Sequence, residues 1–265
     1  MSDDARPEGA AAASGRGHGT GTGTGTGTGL STASDTRHDT GSGDDTGRGT
    51  GSGGAAREVL LAIDTSAGTS VAVVDGARGV LSEANGYDTM KHAEVIGRLI
   101  EQALAEASVD RTEVTAVVAG MGPGPFTGLR VGIAAAHAFA TGRRIELLPV
   151  VSHDAIAVSA QHDGRTGELL VVSDARRREV YWSLYRLAGD GSLPERIDGP
   201  GLAKPDALPH GHASTLDAAH VSAAALAAVA LETRRSGAPL VADQALYLRS
   251  PDVTLSTGAK RVTQR

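Results

Sequence analysis

The sequence has 265 residues, a formal net charge of −6 at neutral pH, 3% aromatic residues and no cysteine. The absence of cysteine excludes disulfides, thiolate zinc sites and a catalytic thiol, and the acidic balance with few aromatics argues against free-standing nucleic-acid binding. No apolar run is long enough to span a membrane, and the acidic start lacks the apolar core of a secretion signal, so we expect a cytoplasmic protein.

Residues 1–57 differ in composition from the rest of the chain. They hold 16 of the 36 glycines, alternate strictly between glycine and threonine from Gly19 to Gly29, and contain no Val, Ile, Phe, Tyr or Trp. Such a segment cannot bury enough apolar surface to offset the entropy lost on ordering. We therefore predict a disordered tail over 1–57, a first lobe over 58–151 and a second, smaller lobe over 152–265.

The first lobe begins with three short apolar segments separated by turn residues. Residues 59–64 and 69–74 have the apolar and β-branched composition of buried strands. Asp75-Gly76 is a hairpin turn sequence, and residues 78–84 form the returning strand. The pattern predicts an antiparallel meander.

A helix with one apolar face is predicted after the meander. Its apolar residues recur at spacings of three and four, which is the period of a helix with one buried side. They are Val95, Ile96, Leu99, Ile100, Ala103 and Leu104. We expect Asp88 or Thr89 to cap the first turn.

Two further strands each lead into a helix. Residues 115–120 and 145–151 have the composition of buried strands. We expect Thr127 to cap the helix after the first of them, Gly142 to end that helix, and Ser152 to cap the helix after the second. Three antiparallel strands followed by strand–helix repeats indicate a mixed sheet covered by helices, the order of a ribonuclease-H-like unit.

The second lobe is less regular in sequence. Residues 168–174 and 179–185 are typical of a hairpin, and the charge run at 176–178 in its turn is interpreted as a solvated face. The stretch from 189 to 212 has the composition of loops, with several prolines. An alanine-rich helix is predicted over 218–234.

The turn between the first two strands, residues 64–70, is rich in small hydroxyl residues. Such a turn exposes backbone N–H groups that can hold a phosphate, and Asp64 could hold a magnesium ion through water. Asp64, Thr65 and Ser66 are therefore candidates for a nucleotide loop. The other interpretation is a tight turn capped by Asp64, because no lysine or second carboxylate lies nearby in sequence.

The helix after the glycine- and proline-rich loop 122–126 has an unusual face. The loop matches neither a dinucleotide fingerprint nor a P-loop. On the helix, small residues spaced by four form one smooth stripe, which either admits a partner helix or packs on the protein's own sheet. The stripe consists of Gly128, Gly132, Ala136 and Ala140. If it faces a partner, Gly132→Leu abolishes pairing and leaves the lobe folded.

None of the nine histidines belongs to a metal-ligand motif. His92 and His153 each begin a predicted helix, where capping by a neutral ring is the simpler interpretation. The sequence also lacks a nucleophile elbow. We therefore assign no catalytic residue, no metal ligand and no cofactor.

Several motifs resemble the TsaB (YeaZ) family. They are Val59 to Ser66, His92 to Ile96, Gly122 to Gly132, Asp174 to Tyr181 and, at the C-terminal end, Tyr247 to Arg249. The resemblance implies an actin-like ATPase fold built from ribonuclease-H-like units. It also implies a role in forming threonylcarbamoyladenosine beside the anticodon of tRNA. The alternative is an actin-like ATPase or small-molecule kinase that uses residues 64–70.

The resemblance further implies the partners of the chain. The family is a non-catalytic subunit that binds and activates the catalytic paralogue TsaD, pairs with itself, and is joined by the ATPase TsaE, with tRNA reached only through the complex. The catalytic paralogue carries a His-x-x-x-His pair where this sequence has His153 and Ala157, so we expect the chain itself to be inactive.

The implied partner interface lies on two helices of the first lobe. It comprises His92, Val95, Ile96, Leu99, Phe126, Thr127, Gly128, Arg130, Val131, Gly132 and Ala136. Against the family pattern the stretch between Arg186 and Ala218 is short, which predicts a truncated second lobe without a strand and turn near residues 208–216.

Overall fold

The structure, a computed structural model, describes residues 57–88 and 91–249. Apart from Arg57, the predicted tail therefore lies outside the described residues, and so does Thr89. No helix within the described ranges is long and apolar enough to cross a bilayer.

The first sheet has five strands in the order β3-β2-β1-β4-β5. They are β1 Val59–Asp64, β2 Thr69–Asp75, β3 Gly79–Gly86, β4 Ala116–Gly120 and β5 Glu146–Val150. Strand β1 is antiparallel to β2 and parallel to β4, and β4 is parallel to β5. This is the ribonuclease-H-like sheet of an actin-like fold, so the predicted meander and mixed sheet are confirmed.

The helices are α1 His92–Glu106, α2 Phe126–Arg143, α3 Ser152–His162 and α4 Ala223–Arg235. The predicted caps of the first three are wrong. Helix α1 starts after Lys91 rather than after Asp88, and Thr127 and Ser152 lie inside the first turns of α2 and α3. None of these three helices has a side-chain cap. Only α4 does, since Ser222 Oγ accepts a hydrogen bond from the Ala225 N–H at 3.1 Å.

The end of α2 also differs from its prediction. Gly142 lies within the helix, which continues to Arg143. Arg144 then adopts a left-handed conformation with φ 56°. Backbone N–H groups at this cap donate hydrogen bonds to carbonyl groups in the last turn of the helix. The chain therefore ends this helix at an arginine in the conformation that glycine usually supplies.

The second sheet has four strands in the order β8-β7-β6-β9. They are β6 Gly167–Asp174, β7 Val180–Leu187, β8 Glu195–Ala203 and β9 Ser214–Asp217. Strand β6 is antiparallel to β7 and parallel to β9, so the second sheet repeats the order of the first four strands of the first sheet. The second sheet has one strand fewer than the first, and two details of the predicted second lobe are wrong.

Strands β8 and β9 lie in the region predicted to be loop or to be missing. Strand β8 occupies part of 189–212 as an edge strand, where the proline at 200 is tolerated because one side of the strand needs no partner. Strand β9 occupies the end of the segment 208–216. Between them the chain forms only the 3₁₀ turn Pro205–Ala207, where the first sheet has the whole of α1. The shortening thus removes a helix rather than the strand.

Both faces of the first sheet are buried. Val59, Leu61 and Ile63 of β1 pack with α1 and α2, whereas Leu60 and Ala62 belong to the core that contains α3 and α4. Helix α4 packs on β1 and β2, α3 packs on β6 and β7, and the two helices pack on each other. They form the layer that joins the two sheets. The predicted division at 151 and 152 stays a prediction, since α4 returns the chain to the first sheet.

Candidate functional site

The two helices predicted to form the interface lie side by side on one face of the first sheet. Five of the predicted interface residues remain accessible: Val95, Phe126 and Val131 are half-buried, and Thr127 and Arg130 are exposed. The other six are buried in the chain itself: His92, Ile96, Leu99, Gly128, Gly132 and Ala136. The structure thus brings the predicted residues together but leaves fewer than half of them for a partner.

The small-residue stripe of α2 faces the interior. The Thr65 hydroxyl donates to the Gly128 carbonyl at 2.7 Å and accepts from the Gly132 N–H at 3.1 Å. A Cβ added at Gly132 would overlap the Thr65 side chain, and one at Gly128 would lie 2.7 Å from the Thr65 carbonyl oxygen. The small residues let the first hairpin approach α2 closely. A leucine at 132 would have to displace Thr65, which argues against the expectation that Gly132→Leu leaves the lobe undisturbed.

His92 also acts within the fold. Its Nδ1 shares a 2.8 Å hydrogen bond with the Thr69 hydroxyl, and its ring lies against Gly128. A cavity of about 270 Å³ opens beside it, between the first turns of α1 and α2, and Ser66, Thr127 and Arg176 line its walls. His92 therefore ties the start of α1 to the β1–β2 loop.

The candidate nucleotide loop is turned inward. Asp64 is 1% exposed, and its Oδ1 accepts hydrogen bonds from the Ser66 N–H (2.7 Å) and hydroxyl (2.6 Å). Its Oδ2 accepts from the Ser152 hydroxyl at 2.5 Å, and Ser152 Oγ accepts from the Gly122 N–H. Burial raises the pKa of Asp64, while the hydrogen bonds from Ser152 and Ser66 oppose that shift. Asp64 thus joins the ends of β1 and β4 to the start of α3.

The backbone of Gly120 packs directly against the Asp64 carboxylate. A Cβ at Gly120 would overlap Asp64 and lie 2.9 Å from Ser152 Oγ. Both oxygens of Asp64 therefore have partners inside the chain, and backbone packs against them. This arrangement is the one expected if residues 64–70 form a tight turn capped by Asp64 rather than a nucleotide loop.

His153 lies in the core between α3 and the second sheet. Its Nδ1 shares a 2.8 Å hydrogen bond with Ser183 Oγ, and its Nε2 shares one of 2.9 Å with Ser173 Oγ. Burial, with a smaller effect of the charge on Arg196, lowers the pKa of His153 to about 3. The ring is therefore neutral at neutral pH, and both of its nitrogens are used.

Arginine and aromatic side chains cluster where α2 begins. The Arg130 guanidinium lies 3.9 Å from the centre of the Phe126 ring, and Phe126 packs on Tyr247 with ring centres 4.7 Å apart. The Arg130 Nε donates to the Tyr247 hydroxyl at 3.3 Å. A cavity of about 450 Å³ adjoins this stack, and Arg176, Arg177 and Arg249 are among its lining residues. Below, these arginines and aromatics are called the arginine cluster.

The arginine cluster was only partly foreseen. Phe126 and Arg130 were predicted as interface residues, and Tyr247 to Arg249 were matched to a family signature without a role. The turn at 176–178 was interpreted as a solvated face. The pairing of Arg130 with Tyr247 joins residues 117 positions apart, and no local pattern marks such a contact. The described part of the chain contains no group of three or more His, Cys, Asp or Glu placed to hold a metal.

Fold and site together define a protein of the actin-like, ribonuclease-H-like class, with a buried first-loop aspartate. A family model described as "TsaD: tRNA N6-adenosine threonylcarbamoyltransferase" matches residues 87–230. The structure is similar to that of YeaZ from Pseudomonas aeruginosa, with a TM-score of 0.57 and 26% identity over 68% of this chain and 93% of that one.

Two curated relatives extend the comparison. The chain is 34% identical over 125 residues to the tRNA threonylcarbamoyladenosine biosynthesis protein TsaB of Haemophilus influenzae, covering 47% of this chain and 52% of that protein. It is 38% identical over 213 residues to the uncharacterized protein ML0378 of Mycobacterium leprae, covering 73% and 55%. The chain thus spans about half the length of these two relatives. It belongs to the TsaB (YeaZ) family, within the wider group that the TsaD model describes.

Proposed function

We propose that this chain is a non-catalytic subunit of the cytoplasmic assembly that forms threonylcarbamoyladenosine on tRNA. In this role it binds and activates a TsaD-like threonylcarbamoyltransferase, which modifies the adenosine next to the anticodon. Membership of the TsaB (YeaZ) family and the match to the TsaD model support the proposal. A TsaE-like ATPase and a second copy of the chain are further partners within it.

The environment of His153 supports a non-catalytic role best. The TsaD-like paralogue is expected to use a His-x-x-x-His pair on the corresponding helix, and this chain has His153 followed by Ala157. Both ring nitrogens of His153 are hydrogen-bonded to serines in the core, and Ala157, one turn later in the same helix, is also buried. A histidine can ligate a metal only through a nitrogen with a free lone pair, so His153 is unsuited to that role.

The surroundings of Asp64 argue against the ATPase or kinase alternative. A magnesium-binding aspartate needs an oxygen that faces the ligand. Both oxygens of Asp64 accept hydrogen bonds from Ser66 and Ser152, and the side chain is almost wholly buried. We therefore keep residues 64–66 as a structural turn in the proposal.

The outer faces of α1 and α2 are the proposed surface for the TsaD-like partner. Exposed small residues lie four apart on each helix, with Ala93 and Gly97 on α1 and Ala134 and Ala138 on α2. Small side chains allow a partner helix to approach closely. This assignment replaces the inward-facing stripe with residues that a partner can reach, and it keeps the accessible members of the predicted set.

The test compares two glycines that differ in position alone. A Cβ at Gly97 or at Gly142 meets nothing within 4 Å, so either helix can carry a larger side chain there without rearrangement. Gly97 lies on the proposed surface, and Gly142 lies in the last turn of α2. The full chain and its Gly97→Arg and Gly142→Arg variants are co-purified with the TsaD-like protein of the same cell, then assayed for modification of unmodified tRNA.

We expect Gly97→Arg to reduce both complex formation and tRNA modification about tenfold or more, equivalent to about 1.4 kcal/mol of binding free energy, and Gly142→Arg to leave both unchanged. If the wild-type chain ignores the TsaD-like protein and hydrolyses Mg-ATP alone, the proposed function is wrong. If the complex forms and both variants bind equally, the function stands and the surface is wrong.

A further inference from the structure

We propose that the arginine cluster contacts the phosphate backbone of the tRNA directly, so that this chain contributes its own RNA-binding surface. The inference rests on the proposed function but goes beyond it, since that function needs the chain only as a partner of the catalytic subunit. It assigns a role to the β6–β7 turn, which neither the fold nor the partner surface uses.

The turn holds three consecutive arginines in an unusual conformation. Arg176, Arg177 and Arg178 have φ of 64°, 54° and 62°. A non-glycine residue in the left-handed region costs about 1–2 kcal/mol, and such residues normally occur singly. A run of three persists only where the surroundings determine it, and strain of this kind concentrates at functional sites.

Hydrogen bonds on both sides of the turn hold it in this conformation. The Arg176 N–H donates to Asp174 Oδ1 at 2.8 Å, and the Glu179 N–H donates to the Arg176 carbonyl at 3.0 Å. Arg249, from the far end of the described chain, donates to the Ala175 carbonyl at 3.0 Å and pairs with Glu179. Asp174 and Glu179 thus help to fix the turn, and Asp174 also lies 3.7 Å from the Arg176 guanidinium. All three residues of the turn are exposed.

Aromatic rings extend the positive surface onto the first lobe. Phe126 and Tyr247 form a stack covered by Arg130, and the cavity of about 450 Å³ connects this stack to Arg176 and Arg177. Tyr247 is 42% exposed, so one ring of the stack is open to a ligand. Guanidinium groups beside an exposed aromatic ring are the means by which proteins bind unpaired RNA, through phosphate contacts and base stacking.

The charge of this region is opposite to that of the whole chain. The chain carries a net charge of −6, and this overall charge argues against RNA binding if the charge is taken as evenly spread over the surface. In the arginine cluster, Arg176, Arg177 and Arg249 line one cavity beside the ring stack that Arg130 covers, and Arg178 is the next residue of the turn. Asp174 pairs with Arg176, and Glu179 pairs with Arg249. Phosphate contacts depend on the local concentration of positive charge, so a local cluster is sufficient for a contributing surface.

The position next to the proposed partner surface fits a shared RNA site. Phe126, Thr127 and Arg130 begin α2, and the outer face of the same helix carries Ala134 and Ala138. A tRNA held by a TsaD-like partner on that face would therefore pass close to the cluster. The arginines suit the phosphates of a tRNA, and the exposed Tyr247 ring suits one of its unpaired bases, which an acidic protein segment does not supply.

The experiment replaces the three arginines of the turn by asparagine. Asparagine tolerates the left-handed region better than other non-glycine residues, so the turn is preserved while its charge is removed. The matched control is Arg111→Asn, Arg144→Asn and Arg165→Asn, three exposed arginines elsewhere, of which Arg144 also has a positive φ of 56°. Binding of unmodified tRNA is measured for the full chain alone and with the TsaD-like protein, over a series of salt concentrations.

We expect the turn variant to lose about tenfold or more in tRNA affinity and to lower the slope of log affinity against log salt by about 2, because each lost phosphate contact contributes about 0.7–0.9 to that slope. We expect the control variant to keep the tRNA affinity and the salt slope of the wild type. Co-purification with the TsaD-like protein remains unchanged in either variant, which separates this inference from the proposed function.

Three results would overturn the inference. One is a turn variant with unaltered tRNA affinity. Another is loss of the TsaD-like protein from the turn variant, which would make the cluster a protein contact. The third is ATP or ADP binding that depends on the turn while tRNA binding does not, which would make the cavity a nucleotide site. If the chain fails to bind the TsaD-like protein but the turn still determines tRNA binding, the proposed function fails and the inference stands.

Discussion

The first hairpins of the two sheets occupy the same place in the same strand order, and their aspartates have opposite surroundings. Strand β1 ends at Asp64 and β6 ends at Asp174. Asp64 is 1% exposed and bonded to Ser66 and Ser152, whereas the side chain of Asp174 is 67% exposed and lies near Arg176. One hairpin is closed into the core, and the other presents its turn to solvent.

The difference comes from the helix that follows the strand parallel to the first strand of each sheet, which is β4 beside β1 and β9 beside β6. Helix α2 follows β4 and packs on β1 and β4 of its own sheet, so it covers the first hairpin. Helix α4 follows β9 but packs on β1 and β2 of the first sheet. The end of β6 is therefore left open. The same strand order produces a structural turn or an accessible one, depending on which sheet the next helix covers.

The largest effect is expected from opening the closed hairpin. In Gly132→Ala the new methyl group would overlap Thr65, so α2 and the β1–β2 loop must separate. We expect a loss of about 2–3 kcal/mol in the free energy of unfolding, the usual cost of overpacking a core. Urea unfolding measures it. The matched variant is Gly142→Ala in the same helix, which meets no atom and should gain about 0.5–1 kcal/mol. Equal stability of the two variants would contradict the closed hairpin.

The second prediction concerns the link between α3 and the open sheet. The folded-state pKa of His153 is about 3, below the unfolded value near 6.5, so the unfolded state binds more protons between these values. Stability therefore falls as the pH falls through this window, by up to about 1.4 kcal/mol per pH unit, or about 2 kcal/mol from pH 6 to 4.5.

The variant His153→Gln keeps a hydrogen-bonding side chain and removes the titration. Thermal unfolding from pH 4.5 to 6.5 should show a shallower pH dependence for this variant than for the wild type. Arg196 and Tyr185 both contact the carboxylate of Asp154, the residue after His153, and all three are present in both proteins. Replacement of His162, which is exposed at the end of α3, serves as the control and should leave the wild-type slope. An unchanged slope in His153→Gln would show that the ring is not buried as described.

The third prediction compares the two aspartates directly. Asp64→Asn leaves a single acceptor oxygen where Ser66 and Ser152 donate three hydrogen bonds, and we expect it to cost about 1–2 kcal/mol. Asp174→Asn removes an exposed charge beside Arg176 and should cost less than about 0.5 kcal/mol. Chemical denaturation of both variants measures the difference. A similar cost at the two positions would mean that the hairpins do not differ in the way described.

The smallest effect is expected at the start of α4. Ser222 Oγ accepts from the Ala225 N–H at 3.1 Å and donates to Glu83 Oε1 at 2.9 Å, so it both caps the helix and ties it to β3. Ser222→Ala should cost about 1 kcal/mol, the usual loss for an N-cap serine. Ser236→Ala at the other end of α4 is the control, with a smaller loss. If Ser222→Ala proves neutral in urea unfolding, the cap does not hold α4 to the first sheet.

The strands of the first sheet were predictable because their composition and their burial agree. Residues 59–64 and 69–74 are apolar on both faces of the strand, and both faces of the sheet are covered. Strand β8 was missed because Gly199-Pro200-Gly201 is typical of a turn, and only its place at the edge of the sheet makes a strand possible there.

The site was less predictable from the sequence. The spacing of residues along a helix indicates which of them share a face, but it does not indicate what that face contacts. The spacing of Gly128, Gly132 and Ala136 does predict one shared face, but that face is buried, and Gly128 and Gly132 lie against Thr65 of the first hairpin. Likewise, three arginines in sequence carry no indication of a left-handed backbone. That conformation is fixed by Arg249, which is far from the turn in sequence.

The return of α4 to the first sheet also determines the order in which the protein can be completed during synthesis. All five strands of the first sheet have been made before the second sheet and α4 emerge. Until then Leu60, Ala62, Ala72 and Val74 have no helix over them, although they are buried in the finished protein. An apolar sheet face exposed on a growing chain is a substrate for chaperones and a source of aggregation. The first sheet of this protein is therefore finished only when α4 has left the ribosome.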